Sequence, residues 1–200
     1  MDHSSRRRHE IMEATLPRPR LTAVDWEVAT LDLIAESGVP AVAVETLAKR
    51  MGVTKGSFYW HFPNREALLE AALKRWAEHD LDDVIAKVSH IANPAERLRS
   101  LFRFASREMR LTRIYSALLR AVDHPLVKQV IEATSARRIQ FLTQVFHEVG
   151  FKGEQAQYRA QLAYSAYIGF LQLALQIHVP RMSTEQFEAY VEHVIDLLVP

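Results

Sequence analysis

Apolar residues in this chain recur at spacings of three and four, and no stretch alternates apolar with polar residues for long. That rhythm selects helices and works against strands, whose faces repeat every two residues. The punctuation agrees, because only 6 glycines and 8 prolines occur and most sit where the rhythm breaks. The sequence therefore predicts an all-α fold of about nine helices. A chain of 200 residues, 48% of them hydrophobic, is long enough to bury a sizeable core. It has no cysteine, which excludes disulfide and thiolate chemistry. No apolar run of the kind found in a secretory leader follows the N-terminus. The longest apolar stretch, "LAYSAYIGFLQLALQIHV", is broken by Gln172 and Gln176. It reads as a helix covered on several sides rather than a membrane span. No membrane partner is expected, and the predicted location is the cytoplasm.

Residues 1–20 are polar and basic and are expected to form a flexible arm. A first helix opens at Thr22, whose spacing to Asp25 makes a variant capping box, and closes before Gly38, expected to be a left-handed C′ residue. A short helix spans Val44 to Met51 and stops at Gly52. Another starts at Thr54 and ends by Phe62, since Pro63 follows. A long helix starts at Asn64, a good N-cap, and reaches about Ile91. Further helices are predicted near residues 95–110, 112–122, 125–149, 154–178 and 184–199.

The segment "VETLAKRMGVTKGSFYWHF" is a short helix, a glycine turn and a second short helix. Leu47, Ala48 and Met51 make one apolar face, and Phe58 and Phe62 share a face on the next helix. That is a helix-turn-helix within a three-helix core. With Phe58 and Phe62 inward, Lys55, Gly56, Ser57, Tyr59, Trp60 and His61 fall around the remaining faces. The second helix of such a motif enters the major groove by its N-terminal residues. Lys55 supplies charge there, Gly56 allows close backbone approach, and Ser57 can bond a base edge or a phosphate. Tyr59 and His61 are donors to phosphate oxygens, while Trp60 either braces the helix or lies on the DNA backbone. Residues 44–65 hold four basic side chains (Lys49, Arg50, Lys55, Arg65) against one acid, Glu45. Arg65 is placed to clamp a phosphate. A solvated basic surface is the alternative reading.

The stretch "GVTKGSFYWHFPNREALLEA" resembles the signature of the tetracycline-repressor (TetR/AcrR) family of bacterial transcription regulators. Upstream, "LDLIAESGVPAVAVETLAKRMG" is similar to that family's first two helices. The resemblance covers a quarter to a third of the chain, and the later helices match only in number and length. It implies a cytoplasmic homodimer on a palindromic double-stranded DNA operator, with a small-molecule effector altering the separation of two reading heads. By position, Lys55, Gly56 and Ser57 fall where the family contacts bases or nearby phosphates. Tyr59, His61 and Arg65 fall where it contacts phosphates. One position departs from the pattern: Ala43 stands where the family usually has a hydroxyl that caps the second helix and reaches a phosphate. That contact must then come from backbone N–H, from Thr46, or not at all.

Arg18 and Arg20 flank Pro19 in the arm and are candidates for a minor-groove contact, with a solvated tail as the alternative. In the last two helices, Ala163, Ala166 and Gly169 make a small-residue row, and Phe187, Tyr190, Val191, Val194, Leu197 and Leu198 make one apolar stripe. Two copies of the pair would form a four-helix bundle across a two-fold axis. The alternative is packing within one chain. Trp76, Phe102, Tyr115, Tyr164, Tyr167 and Gln172 are the candidates for an effector pocket. Seven arginines and only two acids lie between Glu96 and Arg120. Arg99, Arg103, Arg107 and Arg110 form a helical stripe that reads as a solvated face, with an anionic effector as the alternative. The histidines show no metal-ligand spacing, and no phosphate loop or nucleophile elbow occurs, so no metal, cofactor or enzymatic role is expected.

The predicted organisation is thus an arm at 1–20, a helix-turn-helix DNA-binding domain at 21–66, and a helical effector-binding and dimerisation domain at 67–200. The expected function is a ligand-responsive, sequence-specific DNA-binding regulator, most often a repressor. The alternative is a helical sensor or scaffold that binds a protein partner without specific DNA binding.

Overall fold

The computed structural model describes residues 21–107 and 109–199. Among them are nine α-helices and no strand. The first, α1 (Ala23–Ser37), begins as the sequence predicts: Asp25 N–H donates to Thr22 Oγ1 at 3.3 Å, and Thr22 N–H donates to Asp25 Oδ2 at 2.7 Å. These bonds from Thr22 hold the Asp25 carboxyl below its ordinary range. Gly38 ends the helix at φ 81° and ψ 170°, not in the left-handed helical region. This extended conformation of positive φ is open essentially to glycine alone. It turns the chain into a 3₁₀ turn at Val39–Ala41, which the sequence did not predict.

Then come α2 (Val44–Met51), α3 (Lys55–Tyr59) and α4 (Arg65–Val88), the last capped by Asn64 Oδ1 accepting from Ala67 N–H at 2.9 Å. They are followed by α5 (Pro94–Arg107), α6 (Met109–Leu119), α7 (Pro125–Val149), α8 (Glu154–Gln172) and α9 (Thr184–Leu198). The predicted continuous helix to His178 stops earlier: from Leu173 to Ile177 the ladder widens into a π turn, which His178 ends at φ 56°. No helix among the described residues is long and apolar enough to cross a membrane.

Two apolar clusters hold the helices together. The first centres on Trp26, Phe58, Trp76 and Tyr115, and joins α1 to α4 with α6 and α7. The second gathers Leu98, Leu101, Phe146, Ala160, Ile195 and Leu198, under α5, α7, α8 and α9. Tyr164 packs against both.

Candidate nucleic-acid interface and cavities

The reading helix is set by the turn before it. Gly52, at φ 68° and ψ 32°, is left-handed and closes α2 by donating to Ala48 and Lys49 carbonyls. Val53 N–H then returns to Ala48 O at 3.0 Å, which seats α3 against α2. On the inner side Phe58 is fully buried, edge-on to Trp26 at 5.4 Å and stacked on Phe62 at 5.9 Å. Burying those rings turns the other side of α3 outward. Tyr59 is 62% exposed and Trp60 79%, while Ser57 and His61 are half-buried. Lys55 and Gly56 are exposed, as is Thr46 on α2.

Gly56 is informative. A Cβ built there would lie 3.6 Å from Thr54 Oγ1, an ordinary contact. The fold does not require glycine at this point, and an interior helical glycine costs about 0.5–1 kcal/mol against alanine. On the outer side its bare backbone leaves the helix surface open.

The basic residues of the face are less free than their number implies. Lys55 is ion-paired with Glu45, and that bond holds the Glu45 carboxyl below its ordinary range. Arg50 grips Glu36 of α1 with two bonds of 2.5 and 2.6 Å. Arg65, predicted to clamp a phosphate, is placed otherwise. Its Nε donates to Val42 O at 2.6 Å and its Nη2 to Val39 O at 3.2 Å, while Nη1 pairs with Glu66. The guanidinium thus satisfies carbonyls of the 3₁₀ turn and fixes the entry to α2. Ala43 has no side-chain cap to offer α2, as its sequence implies. Arg18 and Arg20 lie outside the described residues.

A second site lies in the helical remainder. A cavity of about 280 Å³ opens between α5, α8 and α9, with Phe102, Tyr167, Phe170, Phe187 and Tyr190 among its walls. A smaller one of about 90 Å³ shares Phe102, Thr112, Ala163 and Tyr167 with it and reaches Tyr164 and Arg138. Of the predicted effector residues, Phe102, Tyr164 and Tyr167 line these cavities. Trp76, Tyr115 and Gln172 line neither. Trp76 stacks on Tyr115 at 5.7 Å inside the first cluster. The Tyr115 hydroxyl meets Ser135 at 3.0 Å and also Tyr164, and burial pushes its phenol well above the ordinary range. Gln172 accepts from Ser116 Oγ at 3.3 Å. Phe170 and Tyr190 were missed because the wall they form exists only when α8 meets α9.

The predicted interface residues also divide. Ala163 and Leu198 are buried in their own chain, and Ala166, Phe187, Val191 and Val194 face the larger cavity. Of that set Gly169 and Leu197 are exposed, Leu197 to 67%. A further outward row runs beside them: Tyr158, Leu162, Leu173 and Ile177 follow one another at helical spacing, with Gly169 between them.

The arginine stripe is a partly solvated face, with Arg107 and Arg110 exposed, but each of its members is paired. Arg99 pairs with Asp196 at 2.7 Å, Arg103 grips Glu192 with bonds of 2.7 and 2.8 Å, and Arg107 meets Glu188 at 3.5 Å. Both partners step by four residues, in opposite directions, so α5 and α9 are laced antiparallel along the rim of the larger cavity. Arg110 continues the line to Asp32 of α1 at 2.9 Å. Carboxylates already occupy the positions where an anionic effector was considered.

Residues 28–72, which hold this helix-turn-helix, match the family model described as bacterial regulatory proteins, tetR family. That segment is a tetR-family helix-turn-helix module. The chain is 49% identical over 43 residues to the tetracycline repressor protein class A from transposon 1721 of Escherichia coli, covering 22% of this chain and 20% of that one. It is 30% identical over 111 residues to the transcriptional repressor KstR2 of Mycobacterium tuberculosis, covering 54% and 47%. The chain thus spans less than half the length of either relative. Its fold matches that of a TetR-family transcriptional regulator from Agrobacterium tumefaciens, with a TM-score of 0.74 at 16% identity over 89% of this chain and 97% of that one.

Proposed function

We propose that this chain is a sequence-specific DNA-binding transcriptional regulator of the cytoplasm, a ligand-responsive repressor acting as a homodimer on a palindromic operator. The observation that carries the reading is the segment from α3 to Phe62, which buries Phe58 and Phe62 and turns Lys55, Gly56, Tyr59 and Trp60 outward. Residues 21–66 act as the reading head, and residues 67–200 bind the effector and pair the two copies. Lys55, Gly56 and Ser57 approach the base edges. Tyr59, Trp60, His61 and Thr46 face the backbone, where contacts position the protein without reading sequence. The exposed α8 stripe and Leu197 form the two-fold contact, and the cavities receive the effector. The role is regulatory, not catalytic, in keeping with the two relatives, both repressors.

The test is retardation of the DNA upstream of the chain's own gene. Affinity should fall steeply with salt, as counterion release requires. Tyr59→Ala should weaken binding to all sequences alike, while sedimentation should give a dimer at micromolar protein. A scaffold that binds a protein partner instead is favoured by one observation: Arg50, Lys55 and Arg65 are each engaged by a carboxylate of the same chain. Flat salt dependence, or no preference over random DNA, would decide for that reading.

A further inference from the structure

We propose that the effector of this chain is an uncharged aromatic molecule of about two fused rings, seated in the larger cavity between α5, α8 and α9. This rests on the ligand-responsive reading above and narrows it to one chemical class.

The first argument is charge. No side chain among the described residues lining this cavity is charged. An ion entering would leave water without a counter-charge or a full set of hydrogen bonds, which is costly in an apolar enclosure. The nearby charges are engaged elsewhere: Arg103 and Glu192 hold each other, and Arg138 of the adjoining cavity lies over the Tyr115 ring at 4.3 Å. The hydroxyl of Ser106 already donates to Arg103 O at 2.8 Å. Thr112 offers a buried hydroxyl on the wall, suited to a neutral polar substituent.

The second argument is shape. Phe170 lies nearly parallel to Phe187 and to Tyr190, with centroids 5.3 and 5.1 Å apart. This is a stiff aromatic wall on which a flat ring can stack or set its edge. The cavity volume of about 280 Å³ is roughly twice the ~150 Å³ of an apolar cavity that admits benzene. The third argument is the π turn. Ala174 and Leu175, within it, line the same cavity. Widened turns of this kind are frequent at functional sites.

The experiment uses three molecules with one skeleton: 1-naphthylmethanol, 1-naphthoate and 1-naphthylmethylammonium. Each is titrated calorimetrically into the full chain near neutral pH, without DNA. The alcohol should bind at least about tenfold tighter than either ion and should raise Tm. Ala166→Leu, filling the cavity from α8, and Val194→Phe, filling it from α9, should abolish that binding. Circular dichroism and a cooperative thermal transition establish that each variant is folded. Equal or tighter binding of the acid or the amine overturns the proposal, as does no binding of the alcohol. Unchanged affinity in a folded, filled variant overturns it too. The naphthyl series on the wild-type chain decides even where a variant fails to fold. Operator retardation measured alongside separates these failures from failure of the regulator reading.

Discussion

Around Phe58, rings meet rings: Trp26 stands edge-on to it at 5.4 Å, and Phe62 stacks at 5.9 Å. Around Phe170, rings also meet, yet a cavity of about 280 Å³ lies beside them. The two regions draw on the same residue types and differ in what closes them. The first cluster is sealed from within and reaches through Trp76 and Tyr115 into α6, so the reading head is keyed to the helical body by buried side chains. The second is closed along its rim by Arg–carboxylate pairs that water reaches. Exposed pairs of that kind contribute little and are screened by salt. Similar compositions thus yield a filled core around Phe58 and, beneath α9, an open cavity.

Breaking the filled core should cost most. Phe58→Ala should lower stability by about 3–5 kcal/mol, read by urea denaturation. A loss under about 1 kcal/mol, the size of a surface effect, would erase the contrast. Next in size is Ala43→Ser, which supplies the missing cap of α2. It should raise stability by about 1 kcal/mol, seen as a higher Tm, and tighten operator binding by adding a hydroxyl at the phosphate backbone. No gain would mean that the backbone at 43 cannot present a cap.

Smallest is the rim. A double-mutant cycle of Arg103→Ala and Glu192→Ala should give a coupling of about 0.2–1 kcal/mol. The bond from Arg103 holds the Glu192 carboxyl below its ordinary range, so its folded pKa is lower than its unfolded one. The contribution is therefore present above the unfolded value of about 4.3 and is lost as pH falls through the lower folded value. The cycle repeated in acid should show the coupling fade, and a coupling that survives would mean the seam is not held by charge.

What the sequence made legible is what short spacings encode. Phe58 and Phe62 are four apart and share the buried face. Thr22 and Asp25 are three apart and cap α1, and Gly52 turns with a left-handed backbone that residues with a Cβ rarely adopt. What it hid lies between residues far apart in the chain. Arg65 reaches carbonyls more than twenty positions back. Arg103 finds Glu192 nearly ninety positions on. Nothing local distinguishes an arginine that will meet a phosphate from one that will meet a carbonyl. The same holds for α8. Apolar on nearly every side, it gives no sequence cue for which face turns to the cavity and which outward, and the choice is made by α9.

The chain has three tryptophans, and the fold treats them unequally. Trp26 is fully shielded and Trp76 nearly so, whereas Trp60 stands open on the reading face. One indole alone is therefore well exposed to a collisional quencher in solution. The protein carries its own optical label at the surface assigned to the operator, and quenching of its emission reports on that surface above the rest.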